Sequence, residues 1–195
     1  MKKILTVFVF LLSVFAAFSQ EKQEKNYGFQ KNDTYLTGSV SFYSVDYNNT
    51  NSTNFQFNPS VGYFLSDATS LELGLIIGSN KNENDFESNS LGASLGVFHF
   101  FSPENKFSFF VGGSLSYVSL KASTNFSQEI KTNIFQATVF PGVNYFVTDN
   151  FALRAFLGAL SYSTSKADFQ GAESANTFAV NLDLSNINFG VVLKL

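Results

Sequence analysis

Apolar residues recur at every second position in segment after segment of this chain, with glycine, serine and asparagine between them. Leu71, Leu73, Leu75 and Ile77 alternate with Glu72, Gly74, Ile76 and Gly78. Leu91, Ala93, Leu95 and Val97 alternate with Ser90, Gly92, Ser94 and Gly96. A strand sends successive side chains to opposite faces, so each segment is a strand with one greasy face and one small or polar face. Helical periodicity fits none of them. The same pattern holds for Phe55–Leu65, Phe107–Tyr117, Phe135–Val147 and Phe151–Ala159, and more weakly for Leu36–Tyr43. In the last segment Phe178, Val180, Leu182 and Leu184 share one parity, while Ile187, Phe189, Val191, Leu193 and Leu195 take the other. One extra residue near Ser185-Asn186 restores the face, as a β-bulge does. The alternative is two separate strands, but nine strands would leave the chain ends on opposite sides, so eight with a bulge is the expectation.

The connectors alternate in length. Ser66–Thr69, Ser102–Lys106 and Thr148–Asn150 are short and made of turn-forming residues. Those at about 48–53, 79–89, 120–132 and 163–176 are long and rich in Asn, Ser and charge. Segregation of this kind describes an all-β fold: an eight-stranded antiparallel up-and-down transmembrane β-barrel, with short periplasmic turns and long extracellular loops. A soluble β-sandwich also alternates, but it has no need to sort its loops by length or to place aromatic residues beside every short turn.

The N-terminus agrees with export. Lys2-Lys3, an apolar run from Ile4 to Phe18 and the small residues before Gln20 have the form of a signal peptide over 1–19. Its roughly 15 apolar residues fall short of the ~20 that a spanning helix needs. A periplasmic segment 20–33 and the barrel 34–195 complete the expected organisation. Absence of cysteine excludes a lipid-anchored N-terminus and a disulfide scaffold. Loss of Lys2 and Lys3 leaves ten of the twelve basic residues against fifteen acidic ones, a balance that argues against nucleic acid.

A repeat marks the barrel's foot. Pro59, Val61, Tyr63, Phe64 and Asp67 recur 82 residues later as Pro141, Val143, Tyr145, Phe146 and Asp149. His99-Phe100-Phe101-Ser102 has the look of a degraded third copy. Tyr63, Phe101 and Tyr145 carry lipid-facing parity and are expected to form an aromatic girdle. Phe64, Phe100 and Phe146 carry lumen parity and are expected to plug the periplasmic end. Pro59 and Pro141 each remove a ladder hydrogen bond, so a local bulge is expected at both.

These features resemble the small outer-membrane barrels of diderm bacteria, of the OmpX/OmpA transmembrane-domain type. The resemblance rests on the pattern from Thr34 to Leu195 and on no specific motif. It implies insertion by the barrel-assembly machinery, which reads an alternating C-terminal strand. Phe189, Val191, Leu193 and Leu195 fit that signal, although the family usually ends in an aromatic residue rather than Leu195.

Candidate chemistry is sparse. Glu72 and Arg154 share lumen parity on strands that lie across the barrel, and an unpaired charge there would be costly. They are expected to meet as a lumen ion pair, structural or gating. His99, the only histidine, has lipid-facing parity and no second base, so neither a triad nor a metal site can be built on it. Glu83, Asp85 and Glu87 alternate in one connector but match no dedicated calcium loop. No enzymatic activity, cofactor or metal is expected. The expected partners are outer-membrane lipid and lipopolysaccharide, the assembly machinery and an unknown extracellular ligand, with the protein a monomer. A lumen filled by side chains points to a structural or surface-interaction role. A narrow porin-like channel for small solutes is the alternative, and an outer-membrane lipid-acyl enzyme a third.

Overall fold

The computed structural model describes residues 27–47, 50–82, 87–124, 127–182 and 188–195. Among the described residues ten strands run in chain order: β1 (Thr34–Tyr47), β2 (Thr50–Phe64), β3 (Thr69–Asn82), β4 (Glu87–Phe100), β5 (Phe107–Thr124), β6 (Ser127–Phe146), β7 (Phe151–Phe156), β8 (Ala159–Ala167), β9 (Ser174–Asn181) and β10 (Asn188–Lys194). Sequence neighbours from β1 to β7 pair antiparallel, and β10 pairs with both β7 and β1. Eight strands thereby close a ring at the short-turn end. At the other end β8 takes over from β7 beside β6, and β9 pairs with β8.

The alternation explains the closure. Leu73, Leu75, Leu95, Val97, Phe109 and Leu115 all point outward and are exposed. A soluble sandwich would bury that face. A continuous apolar exterior around a closed sheet is the surface of a barrel solvated by lipid.

Stave seven breaks at Leu157-Gly158. Opposite Phe140 and Pro141 of β6 stand three residues, Leu157, Gly158 and Ala159, before pairing resumes at Val139 and Leu160. Gly158 has φ of 142°, a region that favours glycine. The bulge expected at Pro141 thus falls on the neighbouring strand, where the Leu157 amide donates to the Pro141 carbonyl at 3.0 Å. The extra residue flips the parity of β8. Ala159, expected outward, lines a cavity in the lumen instead, and Leu160 and Tyr162 face out. At Pro59 the expectation is corrected: register with β1 is continuous and register with β3 is the same on either side of it, so no residue is inserted. The missing proline amide is absorbed as a local gap in the β2–β3 ladder. The phase slip near Ser185-Asn186 lies outside the described residues.

The long connectors are mostly strand. β5 and β6 have 18 and 20 residues, about twice the roughly 9–11 that cross a bilayer. The segments 79–89 and 120–132, expected as loops, are largely paired hairpin arms, tied by Lys81–Glu87 at 3.0 Å and Lys121–Glu129 at 2.9 Å. Alternating hydropathy ends where the lipid ends, but backbone pairing does not depend on it.

Candidate functional site: the lumen and its floor

Successive inward residues build the lumen in layers. At the short-turn end Phe64, Phe100, Phe110 and Phe146 are buried, joined by Tyr35 from β1. Between them sits Phe29, from the segment that precedes β1. Its ring stacks on Phe64 at 4.6 Å, meets Phe146 edge-on at 5.0 Å and lies 5.2 Å from Tyr35. Tyr27–Asp33 is therefore a cork in the barrel's foot.

The cork is pinned on several sides. The Phe29 amide donates to the Pro103 carbonyl at 2.7 Å, the Lys31 amide to Asp67 at 3.1 Å and the Asn32 amide to the Phe64 carbonyl at 3.0 Å. Lys194, in the last strand, donates to the Gly28 carbonyl at 2.9 Å and lies 3.7 Å from Asp33. Gly28 adopts φ of 89° with its α-carbon against Pro103 and Glu104, so no side chain fits there. Sequence reasoning placed the periplasmic plug in the strands and missed Phe29, because a single aromatic outside any periodic segment carries no phase. The Gly28-Phe29 pair just ahead of the turn residues Asn32-Asp33 was the available signal.

Above the floor lies the charged layer. Arg154 of β7 is 1% exposed, and its Nη1 donates to Glu72 Oε2 of β3 at 2.8 Å. Its Nε donates to Asn144 Oδ1 at 3.1 Å. The Tyr35 hydroxyl donates to Glu72 Oε2 at 3.1 Å and lies 2.9 Å from Ser70 Oγ, while Ser60 donates to Glu72 Oε1 at 2.8 Å. The guanidinium carbon is 5.0 Å from the Phe98 ring centre and within 5.4 Å of those of Tyr35 and Phe110. Aromatic faces attract a cation, so the rings solvate the side of the guanidinium turned away from Glu72. Tyr35 fits because Gly62, directly opposite on β2, leaves room for its ring; a β-carbon at Gly62 would lie inside it.

Beyond this layer many of the inward residues are small, among larger ones such as Ile76 and Gln136. Gly74, Gly78, Ser90, Ser94, Ser114 and Ser116 cannot span the barrel, and cavities of about 210, 280 and 370 Å³ remain. The expectation of a side-chain-filled lumen therefore describes its foot and not its outer part. The 280 Å³ cavity rests on Phe98, Phe140 and Phe156 and reaches Gly158 and Ala159, where stave seven breaks, and Asn188 at the start of β10.

The other singled-out residues lie apart from this network. Tyr63, Phe101 and Tyr145 are exposed on the outside beside the short turns. Tyr63 donates to Asn32, Phe101 meets the His99 ring edge-on, and Lys106 stands over the Tyr145 ring. Phe189, Val191 and Leu195 are exposed and Leu193 half-buried, on and just past β10 between β7 and β1. His99 Nδ1 is 3.3 Å from Thr69 Oγ1. Glu83 and Asp85 lie outside the described residues.

A closed antiparallel sheet with an apolar exterior, a polar interior and aromatic residues ringing its short-turn end defines a transmembrane β-barrel of the outer membrane. The chain belongs to the outer membrane protein beta-barrel domain family, whose pattern matches residues 8–194. That family resides in the outer membrane of Gram-negative bacteria. Among solved structures it is similar to the N-terminal β-barrel domain of Pseudomonas aeruginosa OprF, at 17% identity and a TM-score of 0.50 over 85% of this chain and 99% of that one. It is also similar to the outer membrane protein OprG of the same organism, at 13% identity and a TM-score of 0.51 over 86% and 98%. At these identities the likeness is one of fold. No curated protein is a significant match.

Proposed function

We propose that the protein is a non-conducting outer-membrane barrel whose role is structural or interactive, exercised through the paired hairpins at its outer end. The observation that carries this reading is the floor. Phe29, Phe64, Phe100, Phe110, Phe146 and Tyr35 are all buried across one end of the lumen, and no ion path passes an apolar stack that fills an eight-stranded bore. The Arg154–Glu72 pair above it then serves as a brace between opposite walls and not as a gate. The reading includes export by a signal peptide cleaved before Gln20, insertion by the barrel-assembly machinery, contact with lipopolysaccharide and a monomeric state.

The test is single-channel recording of the full mature chain in a planar bilayer. A flat trace is the expected result. A steady conductance that Glu72→Ala alters would replace this reading with the narrow channel.

A further inference from the structure

The apolar exterior has a second boundary, at the end away from the cork. On β6 an outward column runs from Tyr145 through Val143, Pro141, Val139 and Ala137 to Phe135. Ten residues of strand tilted by about 40° rise about 25 Å, the height of an outer-membrane apolar band. Phe135 faces Tyr117 directly across β5, and Tyr162 of β8 stands one outward pair lower, opposite Ala137. All three rings are exposed. They form an aromatic patch at the outer boundary of the lipid.

Just above that patch the outward face turns basic. Lys121 of β5 is paired directly with Lys131 of β6, and Lys166 of β8 is paired with Asn133, the next outward residue below Lys131. Facing positions put β-carbons about 5 Å apart and diagonal ones about 7–8 Å, so the three long side chains share one area. Like charges placed directly opposite each other destabilise a sheet. Glu129, 2.9 Å from Lys121, and Asp168, 3.8 Å from Lys131, offset part of this. All four of those side chains are at least 43% exposed, however, and such surface pairs contribute little. Lys166 is exposed and makes no ion pair among the described residues. A basic cluster held at the lipid boundary, over an apolar column, has the form of a site for an anionic headgroup.

We propose that Lys121, Lys131 and Lys166 bind the phosphate of a phosphorylated glycolipid in the outer leaflet. Its sugar lies against Tyr117, Phe135 and Tyr162, and its acyl chains run down Leu115, Val139 and Leu160, all exposed. Lysine serves phosphate as a point charge, and its apolar stem lets the amine reach the headgroup level while covering the rings below. Aromatic faces beside the phosphate suit a sugar ring, which favours a glycolipid over a phospholipid. The phosphate supplies the negative charge that the facing lysines lack. The site rests on the reading that the barrel contacts lipopolysaccharide, and gives that contact an address on β5, β6 and β8.

The test titrates lipid A, with and without its phosphates, against the full mature chain in a neutral detergent, read by native mass spectrometry. Phosphorylated lipid A should be retained and the dephosphorylated form bound far more weakly. Lys121→Gln, Lys131→Gln and Lys166→Gln combined should weaken phosphorylated lipid A on the order of a hundredfold, about fivefold for each lysine. Lys166→Gln alone breaks no ion pair, should cost that roughly fivefold loss, and serves if the triple variant does not fold. Lys106→Gln, at the cork end, should change nothing. Equal binding of the two lipid A forms, phosphatidylglycerol competing as well as lipid A, or a loss as large in Lys106→Gln overturns the proposal. If phosphorylated lipid A binds selectively but the folded lysine variants hold it as tightly, the lipopolysaccharide contact stands and this site is wrong. No retention of lipid A by the unaltered chain removes both.

Discussion

Arg154 and Glu72, 82 residues apart in sequence, meet at 2.8 Å in the barrel's interior, with the guanidinium almost wholly buried. The pair joins β7 to β3 across the bore, and both partners have other hydrogen bonds. Removing one partner strands the other. Glu72→Ala is expected to lower stability by about 3–5 kcal/mol, the usual cost of an uncompensated buried charge. The midpoint of unfolding by urea in lipid vesicles measures it. Replacing both residues with methionine should recover much of the loss, because the site is already walled by Phe98, Phe110 and Tyr35.

Phe29→Ala should cost about 3 kcal/mol, the lower end for a buried phenylalanine truncated to alanine. Four aromatic neighbours surround that ring. The heat-induced shift of the folded band on a gel should then move to lower temperature. Conductance should stay absent, since Phe64, Phe100, Phe110 and Phe146 still cross the bore.

Gly62→Ala places a methyl group within the Tyr35 ring. Tyr35 must tilt, and its bonds to Glu72 and Ser70 lengthen. A loss of about 1–3 kcal/mol, the range for overpacking a tight core, is expected in the same unfolding assay. Gly62→Ala combined with Tyr35→Ala should cost less than the two changes do separately, because the clash then has no object.

The tip of the β3–β4 hairpin should respond to acid. Lys81, donating to Glu87, and then Asn89 hold the Glu87 carboxyl below its ordinary pKa. A depressed folded pKa means that the contribution is present above the unfolded value and disappears as pH falls through the folded one. Hydrogen-exchange protection of Lys81 and Glu87, corrected for intrinsic rates, should therefore be flat from neutral pH down to the ordinary carboxylate range and decline below it. Lys81→Met should remove that dependence.

Most of the barrel was legible because alternation is a local property. Leu71–Gly78 or Ser90–Val97 states its own two faces without reference to anything distant, and the parity of Glu72 and Arg154 is set by their neighbours. What escaped was non-local or silent in hydropathy. The bulge at Leu157–Ala159 is set by a proline on the adjacent strand, so reading stave seven alone assigns Ala159 to the wrong face. The hairpin arms beyond the membrane are mostly polar, with only scattered apolar residues such as Leu120 and Ile130, which erases the alternation while the hydrogen-bond ladder continues. Phe29 belongs to no repeating pattern, and only the three-dimensional proximity of Phe64, Phe100 and Phe146 gives it a place.

The hold of Lys194 on Gly28 and Asp33 gives the molecule a chronology. Lys194 lies on β10, which docks between β7 and β1 to close the ring, so this hold on the cork forms only when the ring closes. A nascent barrel missing β10 has a loose cork as well as an open wall. Closing the wall and securing the floor are thus tied to the same strand.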